Sequence, residues 1–263
     1  MEIKTDIPNI AFEIMYDGSR FHGWQVQKNA RSVQSAFQNA LETILGFRPD
    51  VCGCSRTDAG VHANSYVCHI SSQDVNISPE RLPQALNSHL KNSGIAVKNA
   101  ACVPGDFHAR YSCTGKEYIY KIWNKRYSNP FLSDRALFYP IKTDFEKYAF
   151  LCEEFCGTHD FRAFMSKGSK NEENTVRTVK YFNISQSDDG CTVLRVCADG
   201  FLYNMVRIMA GTFLELCAKD AKPGDLSEII NSADRKNAGD TAPAHALYLN
   251  RIFYPDNIFD ERT

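Results

Sequence analysis

The order in which hydrophobic periodicity changes along the first hundred residues restricts the fold more than any other feature of the chain. Ile10, Phe12, Ile14 and Tyr16 alternate as one face of a strand, which Asp17-Gly18 ends. After a loop rich in aromatic and polar groups, Ser32 reads as the N-cap of a helix. Its inner face is Val33, Phe37, Ala40, Leu41, Ile44 and Leu45, and Gly46 is its stop. Strands near Val51 to Cys54, Tyr66 to Ile70 and Ile95 to Val103 enclose a second helix around Leu82 to Leu90. Its start is ambiguous, because Pro79 and Pro83 both suit a first turn.

Strand, helix, strand, strand, helix, strand is the split β-α-β order of ferredoxin-like domains. The second half opens at Glu117 to Trp123, with Tyr118, Tyr120 and Ile122 on one face and Glu117, Ile119 and Lys121 on the other. A helix is predicted from an Asp144 N-cap to a Gly157 stop. Strands at Val176 to Ser185 and Thr192 to Ala198 flank the acidic turn Ser187-Asp188-Asp189-Gly190, and Asp199-Gly200 leads into a helix from about Tyr203 to Cys217. That strand, Asp-Gly, loop and helix order repeats the one at Ile10 to Leu45, which points to two related halves. The boundary falls near Arg110, giving halves 1–110 and 111–263, because Phe107-His108-Ala109-Arg110 separates the two β-α patterns. Lys167 to Asn174, polar and without periodicity, is the expected mobile loop.

With 263 residues the chain makes one large or two ordinary domains and can bury roughly three quarters of its unfolded surface. Ten cysteines stand in no disulfide framework and no apolar leader precedes them, so they read as reduced thiols in a cytoplasmic protein. No apolar run approaches the roughly 20 residues that span a bilayer, which excludes membrane insertion. Net charge is −1, so nothing global marks a nucleic-acid binder. Locally, Arg110, Lys116, Lys121, Lys125 and Arg126 face one acid, Glu117. Farther on, Arg162, Lys167, Lys170, Arg177 and Lys180 face only Glu172 and Glu173. Both stretches are candidate phosphate contacts.

Chemistry concentrates in Ser55-Arg56-Thr57-Asp58-Ala59-Gly60-Val61-His62-Ala63, an excursion of small and polar residues between two strands. An aspartate on a loop held by rigid elements is a common way to present a nucleophile or base. A zinc site drawn from Cys52, Cys54, Asp58, His62, Cys152, Cys156 and His159 fits poorly, since the chain has no Cys-x-x-Cys pair and no H-E-x-x-H, so no metal is expected. No phosphate-binding glycine loop or dinucleotide fingerprint occurs, and no cofactor is expected.

The stretch S-R-T-D-A-G-V-H-A resembles the catalytic signature of the pseudouridine synthases of the tRNA-modifying TruA family. Further matching segments are Tyr16-Asp17-Gly18, Gly23-Trp24-Gln25, Arg31-Ser32-Val33-Gln34, Asp106-Phe107-His108-Ala109-Arg110, Lys116-Glu117-Tyr118-Ile119-Tyr120, Gly157-Thr158-His159-Asp160-Phe161, Met205-Val206-Arg207 and Thr241-Ala242-Pro243-Ala244, so the resemblance covers essentially the whole chain. It departs from the family at Ser55 and Ala246, where glycine is usual.

The resemblance implies an α+β fold: two ferredoxin-like halves forming one extended mixed, mainly antiparallel sheet, helices on one side and a central catalytic cleft. It implies isomerisation of uridine to pseudouridine in the anticodon stem-loop of tRNA, at positions 38 to 40, by a cytoplasmic homodimer. Asp58 matches the family's nucleophile, Arg207 its basic partner and Tyr118 its active-site tyrosine. A carboxylate can attack either the sugar C1′ or C6 of the base, and both routes remain open. Arg56 is expected to help extrude the base, an event that costs a few kcal/mol. Phe21, His22 and Trp24 are expected to line an RNA groove by stacking, although a structural role suits Trp24 equally, and His62 and Arg110 complete the substrate contacts. The alternatives are a tRNA-binding or folding module that has lost its chemistry, or a synthase with another RNA target.

Overall fold

The computed structural model of the chain describes residues 7–166 and 174–259. The expected mobile loop, all but Asn174, lies outside them. The fold is α+β and divides into two compact units, 1–114 with 249–263, and 115–248.

The first unit runs β1 (Asn9–Tyr16), α1 (Val33–Leu45), β2 (Cys52–Gly53), β3 (His62–Ser71), α2 (Leu82–His89) and β4 (Ile95–Val103). β1 pairs antiparallel with β3 and with β4, and β2 pairs antiparallel with β3. The resulting order β4-β1-β3-β2 is that of a split β-α-β domain. Ile10, Phe12, Ile14 and Tyr16 are all buried, and Phe12 meets Phe37 of α1 edge to face at 5.4 Å. Ser32 caps α1 by accepting from Ser35 N at 3.2 Å, while the Ser35 hydroxyl oxygen accepts from Ser32 N at 3.3 Å. Gly46 ends the helix at φ +80°, a left-handed conformation that costs glycine nothing. Both prolines of the ambiguous helix start are used: Pro79 opens a 3₁₀ turn and Pro83 lies in the first turn of α2. α2 is tied to β4 by the Asn87 amide, which donates to Val97 O and accepts from Val97 N, each at 2.8 Å.

The second unit contains β5 (Gly115–Trp123), β6 (Leu137–Phe138), α3 (Ala149–Glu154), β7 (Gly157–Asp160), β8 (Val176–Gln186), β9 (Thr192–Ala198), α4 (Met205–Ala218) and α5 (Asp225–Ser232). β5, β9, β8 and β7 are successive antiparallel neighbours, and β6 adds to β5 in parallel. A final strand, β10 (Leu247–Phe253), contributes its last residues to the first unit, where Asn64 Nδ2 donates to Asn250 Oδ1 at 2.8 Å.

Three of the elements expected from the sequence differ in the structure. The strand expected at Val51 to Cys54 is reduced to Cys52–Gly53. The helix expected from Asp144 to Gly157 is a 3₁₀ turn, Phe145–Tyr148, followed by the six residues of α3. Tyr148 leaves helical geometry between them, its hydroxyl donating to Asp220 at 2.9 Å. α4 starts at Met205 because Asn204 adopts a left-handed conformation, φ 61° and ψ 7°. Among the described residues no helix is long and apolar enough to cross a membrane.

Candidate active site

The loop carrying Asp58 is fixed by its neighbours at almost every peptide. Tyr66 OH donates to Ser55 O at 2.5 Å, and Trp24 N donates to Thr57 O at 3.1 Å. Tyr16 OH and Thr57 Oγ1 share a hydrogen bond of 2.8 Å, Val61 N donates to Asp58 O at 3.2 Å, and Gly60 N donates to Phe21 O at 3.4 Å. Thr57 is buried between these anchors, whereas Asp58 is half-buried and Arg56 exposed. Backbone groups thus find partners inside the fold while two charged side chains are carried toward its surface.

Close approach makes glycine necessary at position 23. Gly23 has φ +88°, and a Cβ added there would lie 2.5 Å from Thr57 O. Gly23→Ala is expected to cost about 2 kcal/mol or more, from the left-handed backbone and from the clash. Because the displaced atom belongs to the residue before Asp58, activity should fall by about 10²-fold even where the variant is folded. Thermal melting and single-turnover rates check both effects.

Three of the expected substrate contacts face inward. The Trp24 ring, 3% exposed, stacks on Tyr66 with centroids 4.1 Å apart. Phe21 is buried too, and its ring carries the Arg31 guanidinium at 4.9 Å. The stacking surfaces expected for RNA are therefore occupied within the protein, and of the trio only His22 is exposed. His62, 1% exposed, accepts from Gly18 N through Nδ1 at 3.0 Å and so joins the start of β3 to the turn after β1. These residues hold the Asp58 loop in shape.

Arg110 belongs to the same unit but to a different anchorage. Ala109, fully buried, donates through N to His69 Nδ1 at 3.2 Å and accepts at O from Tyr254 OH at 2.7 Å. Arg110 N in turn donates to His108 Nδ1 at 3.1 Å, and the Arg110 side chain is half-buried. Burial, reinforced by the neighbouring His108 ring, pushes His69 down to about 4, against a smaller opposing effect of its hydrogen bond to the Cys52 backbone. The unfolded chain therefore takes up this proton first as the pH falls. Stability conferred by neutral His69 is complete above about pH 6.5 and is lost down to about pH 4, by about 3 kcal/mol at most. Urea unfolding between pH 7.5 and 4.5, compared with His69→Gln, isolates that slope.

In the second unit Tyr118 stands on β5, 7% exposed, with its ring edge to face against Phe201 at 5.1 Å. Tyr120, on the same strand face, is core: its hydroxyl donates to Pro243 O at 3.0 Å, and burial raises its pKa well above the ordinary phenol range. The Arg207 guanidinium, in the first turn of α4, donates from Nε to Ala242 O and from Nη1 to Asn204 Oδ1, both at 2.8 Å. The opposite face of β5 is pinned by buried Glu117, whose carboxylate accepts from Tyr181 OH at 2.6 Å and Arg195 Nη1 at 2.9 Å. Sequence reasoning missed Tyr16, Tyr66, Glu117 and Asn204. For Tyr66 the available signal was its place in a strand pattern, which reads equally as plain core, and Tyr16 stood besides in the segment Tyr16-Asp17-Gly18.

Among the described residues no group of three or more His, Cys, Asp or Glu side chains is arranged to hold a metal ion. The first unit thus carries a carboxylate on a clamped loop, and the second a guanidinium held on two acceptors and a nearly buried tyrosine.

A family model described as tRNA pseudouridine synthase matches residues 13–112 and 151–255. The tRNA pseudouridine synthase A of Acetivibrio thermocellus is 40% identical over 246 residues, covering 94% of this chain and 99% of its own. That of Ruminiclostridium cellulolyticum is 39% identical over 245 residues, covering 93% and 99%. The Leptospira biflexa protein of the same name is 36% identical over 255 residues, covering 95% and 96%.

Proposed function

The chain belongs to the tRNA pseudouridine synthase family, whose members are isomerases, and on that premise we propose that it converts uridine to pseudouridine at positions 38 to 40 of the tRNA anticodon stem-loop, with Asp58 as nucleophile. The observation that carries the reading is the clamped loop. Five hydrogen bonds hold the stretch from Ser55 to Val61, so the backbone that carries Asp58 starts from a fixed position and little ordering of the loop remains to be done at the moment of reaction.

In the reaction the N1–C1′ bond breaks, the uracil turns while bound, a C5–C1′ bond forms, the C5 proton leaves to solvent and N1 takes up a proton in its place. Atoms balance within the nucleotide, so no redox equivalent, phosphate donor or metal is called for. Asp58 bonds transiently to C1′ or to C6 and is released in the last step. Arg207 supplies the positive charge that an ionised nucleophile needs away from water. Tyr118 stacks on the base, and its oxygen receives the C5 proton as the phenol passes its own to solvent. Arg56 assists extrusion and holds the strand, and Arg110 contacts phosphate. Phe21, Trp24 and His62 serve the substrate through the loop they support. The amino-terminal half, 1–110, contributes the nucleophile, and the carboxyl-terminal half, 111–263, the tyrosine and the arginine. The protein acts in the cytoplasm as a homodimer, which analytical ultracentrifugation tests.

Mapping pseudouridine in total RNA from a strain lacking this protein tests the whole assignment. Positions 38 to 40 should lose the modification, the intact chain should restore it, and Asp58→Asn should not. Lost sites confined to other RNAs overturn the substrate, and restoration by Asp58→Asn overturns the mechanism.

A further inference from the structure

We propose that Asn204 is a positioning residue for Arg207, setting the plane of its guanidinium from a backbone conformation that few other residues adopt. The inference deepens the assignment of Arg207 above and rests on it. An asparagine directly before a helix ordinarily turns its side-chain oxygen onto the free backbone N–H groups of the first turn. Asn204 makes no such cap. Instead its Oδ1 accepts from Arg207 Nη1 at 2.8 Å, and its Nδ2 donates to Ser166 Oγ at 3.0 Å.

The amide is held at both ends. Ser166 is itself tied to the same turn, its N donating to Tyr203 O at 3.1 Å. At the other edge of the guanidinium, Nε donates to Ala242 O at 2.8 Å, and Ala242 N donates back to Arg207 O at 3.1 Å. A planar fork with two of its N–H groups on two separate fixed acceptors cannot roll about its long axis. Asn204 thus supplies a second fixed acceptor beside that of Ala242.

The left-handed backbone, φ 61° and ψ 7°, is what brings the amide to this place. Asparagine and glycine tolerate that region, while other side chains resist it. Asn204→Gly therefore deletes the amide and keeps the conformation, so the variant should melt close to wild type. Ser166→Ala frees one end of the amide and leaves its bond to the arginine intact.

The test is single-turnover kinetics and tRNA affinity for Asn204→Gly, Ser166→Ala, Arg207→Lys and the double variant Asn204→Gly/Arg207→Lys. Rates are read at a temperature where circular dichroism finds all four folded. The rate of Asn204→Gly should fall about 10- to 100-fold, as for loss of a hydrogen bond to a charged group, with affinity changed by less than about threefold. Ser166→Ala should lose only about threefold. In the Arg207→Lys background, removing Asn204 should cost less than about twofold, because the fork it orients is already gone. An Asn204→Gly rate within twofold of wild type, or an equal loss with and without Arg207, overturns the proposal. Full activity in Arg207→Lys and Arg207→Ala overturns the assignment of Arg207 as well, whereas a strong dependence on Arg207 beside a silent Asn204→Gly overturns the positioning role alone.

Discussion

Asp58→Asn should fold, melt and bind tRNA as the parent does while losing pseudouridine formation by at least ~10⁴-fold. The separation follows from how the loop is held. Its anchors act on Ser55 O, Thr57 O, Thr57 Oγ1, Asp58 O and the N–H groups of Gly60 and Val61, all of which the substitution leaves in place. The amide matches the carboxylate in size, so packing around the half-buried side chain is unaltered. It has lost the negative charge that makes a carboxylate oxygen nucleophilic toward carbon. Nucleoside analysis of digested tRNA reads the product, and a filter-binding isotherm reads affinity. A fall in activity accompanied by an equal fall in affinity or melting temperature would assign Asp58 to structure.

Arg207→Ala should be the second most damaging change, and it should damage two things at once. The truncation takes the donors from Ala242 O and from Asn204 Oδ1, and a buried acceptor left without a partner costs about 1–3 kcal/mol. The melting temperature should therefore drop by several degrees. Activity should fall by about 10³-fold, the scale of removing one fixed charge or donor from a reacting centre. Arg207→Lys separates the contributions: it keeps the charge but cannot fork onto two acceptors, so it should recover part of the rate and little of the stability. Guanidinium ion added to Arg207→Ala should restore activity in a concentration-dependent way if charge at that place is what matters.

Local physics made much of the fold legible. Alternation through Ile10 to Tyr16 located β1, and Ser32 with Gly46 bounded α1 to the residue, because caps and periodicity are written in neighbouring positions. Elements decided by distant partners were not legible. Nothing near Tyr148 announces that its hydroxyl meets Asp220, some seventy residues on, yet that contact accompanies the break in the helix expected from Asp144. The short β6 and β7 carry too little pattern to read.

The candidate site divides along the same line. Asp58, Tyr118 and Arg207 were singled out through motifs, where the residue types have specific chemistry. Phe21, Trp24 and His62 were named as substrate contacts because aromatic and imidazole groups in a loop suit RNA as well as they suit a core. In the structure all three are buried, and burial is a property of the whole fold. Asn204 escaped notice for the converse reason: its role lies in one backbone dihedral and one hydrogen bond, and neither leaves a trace in composition.

The most direct test is tritium release from tRNA carrying [5-³H]uridine in the anticodon arm, with enzyme in excess over RNA. The wild-type chain should liberate one tritium to solvent for every pseudouridine made, and Asp58→Asn should liberate none above the rate without enzyme. Release by Asp58→Asn at a rate near that of wild type would contradict the account, because C5 would then be deprotonated without the carboxylate assigned to the chemistry.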